Sequence, residues 1–185
     1  MSPILSLLLG AALTLAALIG AQRFIGFRAQ GPADYAGQHP RFDMREHLKG
    51  PILCEGVIYG PMGRVSSRFV ADMEATWDGD RGVMTEDFRY DSGATQTREW
   101  RLTLQEGGRI RAEADDVVGD GEDWVSGPTV LLKYRIRLPE SSGGHVLDVT
   151  DWMYLCENGT VINRSQFRKY GLKVAELVAT MRRKA

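Results

Sequence analysis

From residue 51 onward, apolar and polar side chains alternate with a period of two, and this confines the chain to an all-β fold. In residues 68–77, Phe69, Ala71, Met73, Ala75 and Trp77 share one face, and Arg68, Val70, Asp72, Glu74 and Thr76 share the other. Successive side chains of a strand point to opposite sides, so such a segment buries one face and wets the other. Residues 130–138 repeat the pattern, with Val130, Leu132, Tyr134, Ile136 and Leu138 set against Leu131, Lys133, Arg135 and Arg137. Residues 84–90 place Met84, Glu86, Phe88 and Tyr90 on one face. Residues 96–104 do the same with Gln96, Arg98, Trp100, Leu102 and Leu104. Residues 171–183 read as a last strand in preference to a helix. Glycine, asparagine and aspartate punctuate the pattern about every ten to twelve residues, as at Ser92-Gly93, Glu106-Gly107-Gly108 and Glu157-Asn158-Gly159. Short turns between consecutive strands predict an antiparallel meander. About eight or nine strands of this length close into a barrel, which removes the sheet edges and leaves an interior cup.

The charge is distributed unevenly. All 23 Lys and Arg and all 24 Asp and Glu lie after residue 22. Residues 3–21 form an uncharged apolar run which, as a helix, would span about 28 Å, close to the thickness of a bilayer core. The run predicts a transmembrane anchor or an export signal over residues 1–21, a linker over 22–41 and the β-domain over 42–185. Arg23 and Arg28 behind the run favour retention of the domain on the cytoplasmic side, whereas a signal-like leader favours export. The net charge of −1 excludes a general nucleic-acid binder.

Several strings in order carry a family resemblance: Phe42-Asp43 with Gly50, TWDG at 76–79, ADDVVG at 114–119, RLP at 137–139, DWMYL at 151–155 and NR at 163–164. The chain resembles the bacterial envelope family known as domain of unknown function 3833. The resemblance implies a lipocalin-like (calycin) barrel behind an N-terminal signal, in the cell envelope with the domain on the periplasmic side. It implies no reaction. The family often carries a lipoprotein signal; here no cysteine precedes Cys54, which favours a protein anchor or a soluble form.

The candidate site residues are those whose polar groups fall on inner faces. Glu86 and Arg98 lie on neighbouring strands of a hairpin, on faces shared with Tyr90 and Trp100, within reach across the ladder. A charge buried beside aromatics must be paired or shift its pKa. Tyr134 joins them from residues 130–138. Asp151 and Arg164, on consecutive strands, are expected to meet. Each pair reads either as a structural ion pair filling the barrel or as a polar anchor for a ligand. Asp115 and Asp116 open the loop 117–128. They read as turn caps, or as oxygen ligands for a hard cation if other oxygens converge. Cys54 and Cys156 read either as a disulfide across the closing strands or as two small buried side chains.

No HExxH, CxxC or paired-histidine spacing exists, so neither metal nor cofactor is expected. GxSxG, GxGxxG and GxxxxGK[ST] are also missing. Three functions stay open. The first is a non-catalytic barrel holding a small hydrophobic or amphiphilic ligand. The second is an enzyme with Glu86 or Asp151 as acid/base. The third is a structural or assembly partner at the membrane surface, with the outer barrel face, its stripe Lys133, Arg135 and Arg137 and the tail Arg182-Arg183-Lys184 as the contact. The membrane itself is an expected partner through residues 3–21.

Overall fold

The computed structural model describes residues 2–184 and divides the chain into two compact units, Met1–Asp34 and Tyr35–Ala185. The first unit holds helix α1 (Pro3–Phe24). Pro3 suits the first turn because it has no N–H to leave unsatisfied, and the Ser2 hydroxyl caps the helix by accepting from the Leu5 N–H at 3.3 Å. The membrane span expected over residues 3–21 is not found. Among the described residues, no helix is long and apolar enough to cross a membrane.

The second unit is a closed antiparallel barrel. Its ten strands among the described residues are β1 (Gly50–Tyr59), β2 (Val65–Asp78), β3 (Arg81–Tyr90), β4 (Thr95–Leu104), β5 (Arg109–Glu113), β6 (Glu122–Ser126), β7 (Thr129–Arg137), β8 (Val146–Leu155), β9 (Val161–Lys169) and β10 (Leu172–Arg183). Each strand pairs with the one before it, and β10 closes on β1, from Ile52 opposite Arg183 to Tyr59 opposite Glu176. The segment 171–183 is thus a strand, as its alternation predicts. The count exceeds the expected eight or nine because β6 lies inside what reads as the loop 117–128. At five residues, with acidic side chains in it, β6 is too short and too polar to show a period. Its Asp123 is buried, and one carboxylate oxygen accepts the Lys133 backbone N–H at 3.0 Å.

The inner faces make one core, from Ile52, Cys54, Phe69, Ala71 and Met73 round to Val161, Ala179 and Met181. Gly56 is required where β1 passes β2 and β10: a Cβ there would lie 2.7 Å from Phe69 Cζ, from Ala179 Cβ and from the Val178 carbonyl oxygen. Residues 42–48 stopper one end. Phe42 N–H donates to the Gly127 carbonyl at 2.8 Å, and the Asp43 carboxylate caps the short helix α2 (Met44–His47). Met44 and Leu48 are fully buried, and the Trp77 indole donates to the Leu48 carbonyl at 2.6 Å. On the outer side of β8, Trp152 stacks with Tyr154 at 6.0 Å and meets the Tyr35 ring at 5.4 Å.

The disulfide reading is corrected: Cys54 and Cys156 are both free thiols, the first buried and the second exposed. Cys54 sits on β1, whose neighbours are β2 and β10, whereas Cys156 follows β8, two strands beyond β10. Barrel closure therefore brings Cys54 to Met181, not to Cys156.

Candidate functional site

The barrel encloses a cavity of about 540 Å³, within the usual range for a small-molecule site. Strand direction sets its layers. Met44, Leu48, Met73, Met84, Met153 and Met181 line the stoppered end. Methionine is unbranched and polarizable, so such a floor adapts to irregular apolar shapes. The opposite end is ringed by Ile58, Phe69, Phe88, Tyr90, Leu138 and Phe167. Phe69 meets Phe88 edge-on at 5.3 Å, and Phe88 stacks on Tyr90 at 6.0 Å.

A polar belt crosses the barrel between these apolar layers. Glu86 and Arg98 stand directly opposite each other on β3 and β4, as the alternation predicts. The guanidinium nevertheless makes its short bonds elsewhere: Nε and Nη2 donate to the two Asp116 carboxylate oxygens at 2.7 and 2.9 Å. Glu86 Oε2 lies 3.5 Å from Arg98 Nη1 and has no hydrogen-bond partner among the described residues. Arg98 also lies over the Trp100 ring, 4.8 Å from its centroid, a cation–π contact. Trp100 meets Tyr134 edge-on at 5.2 Å. Across the barrel, one Asp151 oxygen accepts from the Asn163 amide and from the Ser165 hydroxyl, the latter at 2.9 Å.

The electrostatics follow from burial. Removal from water pushes the Glu86 carboxyl up to about 7; Arg98 opposes the rise without cancelling it, while Asp151 adds to it. Burial likewise takes Asp151 to about 6 against the hydrogen bonds from Asn163 and Ser165. Burial works against the charge of Arg98, but Asp116, Tyr134 and Glu86 together outweigh it and hold its pKa above the ordinary value. Burial pushes the Cys54 thiol, on the cavity wall, up to about 12.

Of the residues nominated from sequence, Glu86, Tyr90, Arg98, Trp100, Tyr134 and Asp151 all line this one cavity. Arg164 does not. It faces outward and pairs with Glu176, Nε to Oε1 at 2.7 Å, so the expected Asp151–Arg164 contact is corrected. The register sets Asp151 opposite Ser165 and Trp152 opposite Arg164, which puts Arg164 on the other face of β9. Asn163 and Ser165, which the sequence reading leaves aside, complete the belt with Asp116, which that reading takes for a turn cap or a cation ligand and not for the partner of Arg98. Parity along β9 carries the signal for two of them, since Asn163, Ser165 and Phe167 share a face. Asp116 lies beyond β5 and leaves no such signal. The alternative of oxygen ligands at Asp115 and Asp116 meets ion pairing instead, with Asp115 on Arg101 at 2.9 Å and Asp116 on Arg98.

One family pattern, described as "Protein of unknown function (DUF3833)", matches residues 21–183. The chain belongs to the DUF3833 family. No curated protein matches its sequence. Among solved structures, the DUF3833 barrel is similar to the S-type phycobiliprotein lyase CPES from Guillardia theta. That match has a TM-score of 0.59 at 10% identity, over 77% of this chain and 91% of the lyase. It is also similar to Rv2717c from M. tuberculosis, with a TM-score of 0.54 at 14% identity, over 80% of this chain and 99% of that one. At these identities the likeness establishes a shared lipocalin-like fold.

Proposed function

We propose that this DUF3833 protein is a non-catalytic binding protein whose barrel holds one small hydrophobic or amphiphilic ligand in the bacterial cell envelope. The observation that carries the reading is the cavity of about 540 Å³, apolar at floor and rim and crossed by a few convergent polar groups. That is the composition typical of a ligand pocket. The phycobiliprotein lyase supports the reading only through its like fold. The envelope location rests on the uncharged leader and the family resemblance, and fractionation of cells expressing the tagged full chain tests it. For binding, the test is titration with N-phenyl-1-naphthylamine, whose fluorescence rises in apolar surroundings. Saturable binding at one site per chain is expected. No binding by a chain with an intact near-UV circular dichroism spectrum would overturn the proposal.

A second reading is favoured by one observation, the Glu86 carboxyl held near neutrality inside a cavity, since perturbed groups of this kind cluster at catalytic sites. In that reading Glu86 is a general acid/base. Loss of a detected turnover in Glu86→Gln, with probe binding retained, would select it.

A further inference from the structure

Given a ligand in the cavity, its head group is constrained by how the belt is already paired. The belt carries three carboxyl groups, Glu86, Asp116 and Asp151, against one guanidinium, Arg98. A guanidinium is the group that would take an anionic head bidentately. Here Arg98 spends that geometry on Asp116, at 2.7 and 2.9 Å, and turns its remaining nitrogen toward Glu86 at 3.5 Å. Asp151 Oδ1 already accepts two hydrogen bonds. Glu86 is 6% exposed, and its Oε2 accepts none from the described residues. A buried acceptor left unmet is costly, and a donor placed against it recovers that cost. A carboxylate in the same place would lie among three carboxyl groups whose one guanidinium is already engaged.

We infer that the barrel selects amphiphiles whose buried head group donates hydrogen bonds, a primary amine above all, and disfavours the carboxylic acid of the same tail. The acceptor is Glu86 Oε2, and the tail fills the apolar remainder of the cavity. The other cation on the cavity wall, Arg137, is exposed at the rim, where water and salt screen its pull on an anionic head. The inference rests on the ligand-binding reading above and adds the chemistry of the head.

The test is displacement of N-phenyl-1-naphthylamine from the full chain by dodecylamine, dodecanol and dodecanoate, each below its micelle-forming concentration. Dodecylamine is expected to displace the probe at about ten- to a hundredfold lower concentration than dodecanoate, as one charge-assisted hydrogen bond implies. Dodecanol should fall between them. Glu86→Gln should narrow the gap between amine and acid, with Asp151→Asn as the second variant if the first does not fold. Equal or tighter binding of dodecanoate would overturn the inference and leave the binding reading standing, as would dodecanoate binding that Arg137→Gln abolishes, which would place the head at the rim. Failure of the probe and all three amphiphiles to bind would instead overturn the binding reading itself.

Discussion

Arg98 faces Glu86 directly across the β3–β4 ladder, yet its bidentate hydrogen bonds go to Asp116, beyond the end of β5. The nearest carboxyl in the sheet is thus not the one that neutralises the guanidinium. Asp116 has the better geometry, two short charge-assisted bonds to a planar fork, whereas the Glu86 oxygen approaches one nitrogen at 3.5 Å. Glu86 is left buried and under-bonded, and the predictions on pairing and pH follow from that division.

Removing Asp116 strands a buried cation. Asp116→Ala should destabilise the barrel by about 3 kcal/mol, in line with breaking one partner of a buried pair. Adding Arg98→Met to that variant should restore part of the loss, because the stranded cation is gone and Glu86, which loses its cationic neighbour, is already pushed by burial toward its neutral form. Urea unfolding of the two single variants and the double variant, treated as a mutant cycle, checks this. Additive losses would contradict it.

The pH dependence has a defined sign. Burial raises Glu86 from 4.5 to about 7, and Asp151 and Asp123 each from 3.8 to about 6. A carboxyl with a raised folded pKa makes the folded state bind more protons, so its contribution is complete below the unfolded pKa and is lost as pH rises through the folded one. Stability should therefore fall between about pH 4.5 and 7. Glu86→Gln should flatten that fall by up to about 3 kcal/mol. Exposed carboxyls with lowered pKa values, such as Asp72 and Asp91, slope the other way and are common to both proteins, so the difference curve isolates Glu86. Thermal melts across that range provide the measurement.

The two thiols should react very differently. Cys156 is exposed, while Cys54 is buried with its thiol pushed up to about 12, and only the thiolate is nucleophilic. Native protein should consume one equivalent of Ellman's reagent quickly and the second only after denaturation. Cys156→Ser should remove the fast phase alone.

Trp152 offers a contrast of two substitutions. It is 1% exposed, stacked on Tyr154 and tilted against Tyr35, and its indole N–H has no hydrogen-bond partner among the described residues. Trp152→Ala should cost about 3–5 kcal/mol, as for other large core truncations. Trp152→Phe should cost far less, since it keeps an aromatic ring there and removes an unmet donor. Denaturant unfolding measures both. Equal losses would mean that the indole N–H has a role in stability.

How much was legible in sequence depended on strand length. In β2, β3, β4 and β7 the alternation runs long enough to assign faces, and the hairpin fixes Glu86 opposite Arg98. The role of Asp116 is not legible because it sits past β5, where, among the described residues, the chain pairs with β7 through one isolated bridge, Val117 to Ile136. For Arg164, charge complementarity points across the β8–β9 hairpin to Asp151, but residue parity decides the face. Parity alone puts Arg164 on the outer face with Glu176. Strand β6 was hidden because its inward Asp123 is satisfied by a backbone N–H, a bond that no side-chain pattern announces.

The stopper formed by Met44 and Leu48 also has a kinetic consequence. With that end shut, an occupant whose head reaches Glu86 must travel past Phe88 and Tyr90, giving up its water before any belt group can replace it. The barrier then lies along the path, so exchange should be slow in both directions even where affinity is modest. Phe88→Ala should quicken uptake and release together, visible by stopped-flow, while leaving their ratio nearly unchanged. Such a barrel would act less as a buffer than as a carrier that keeps its cargo until something widens the throat.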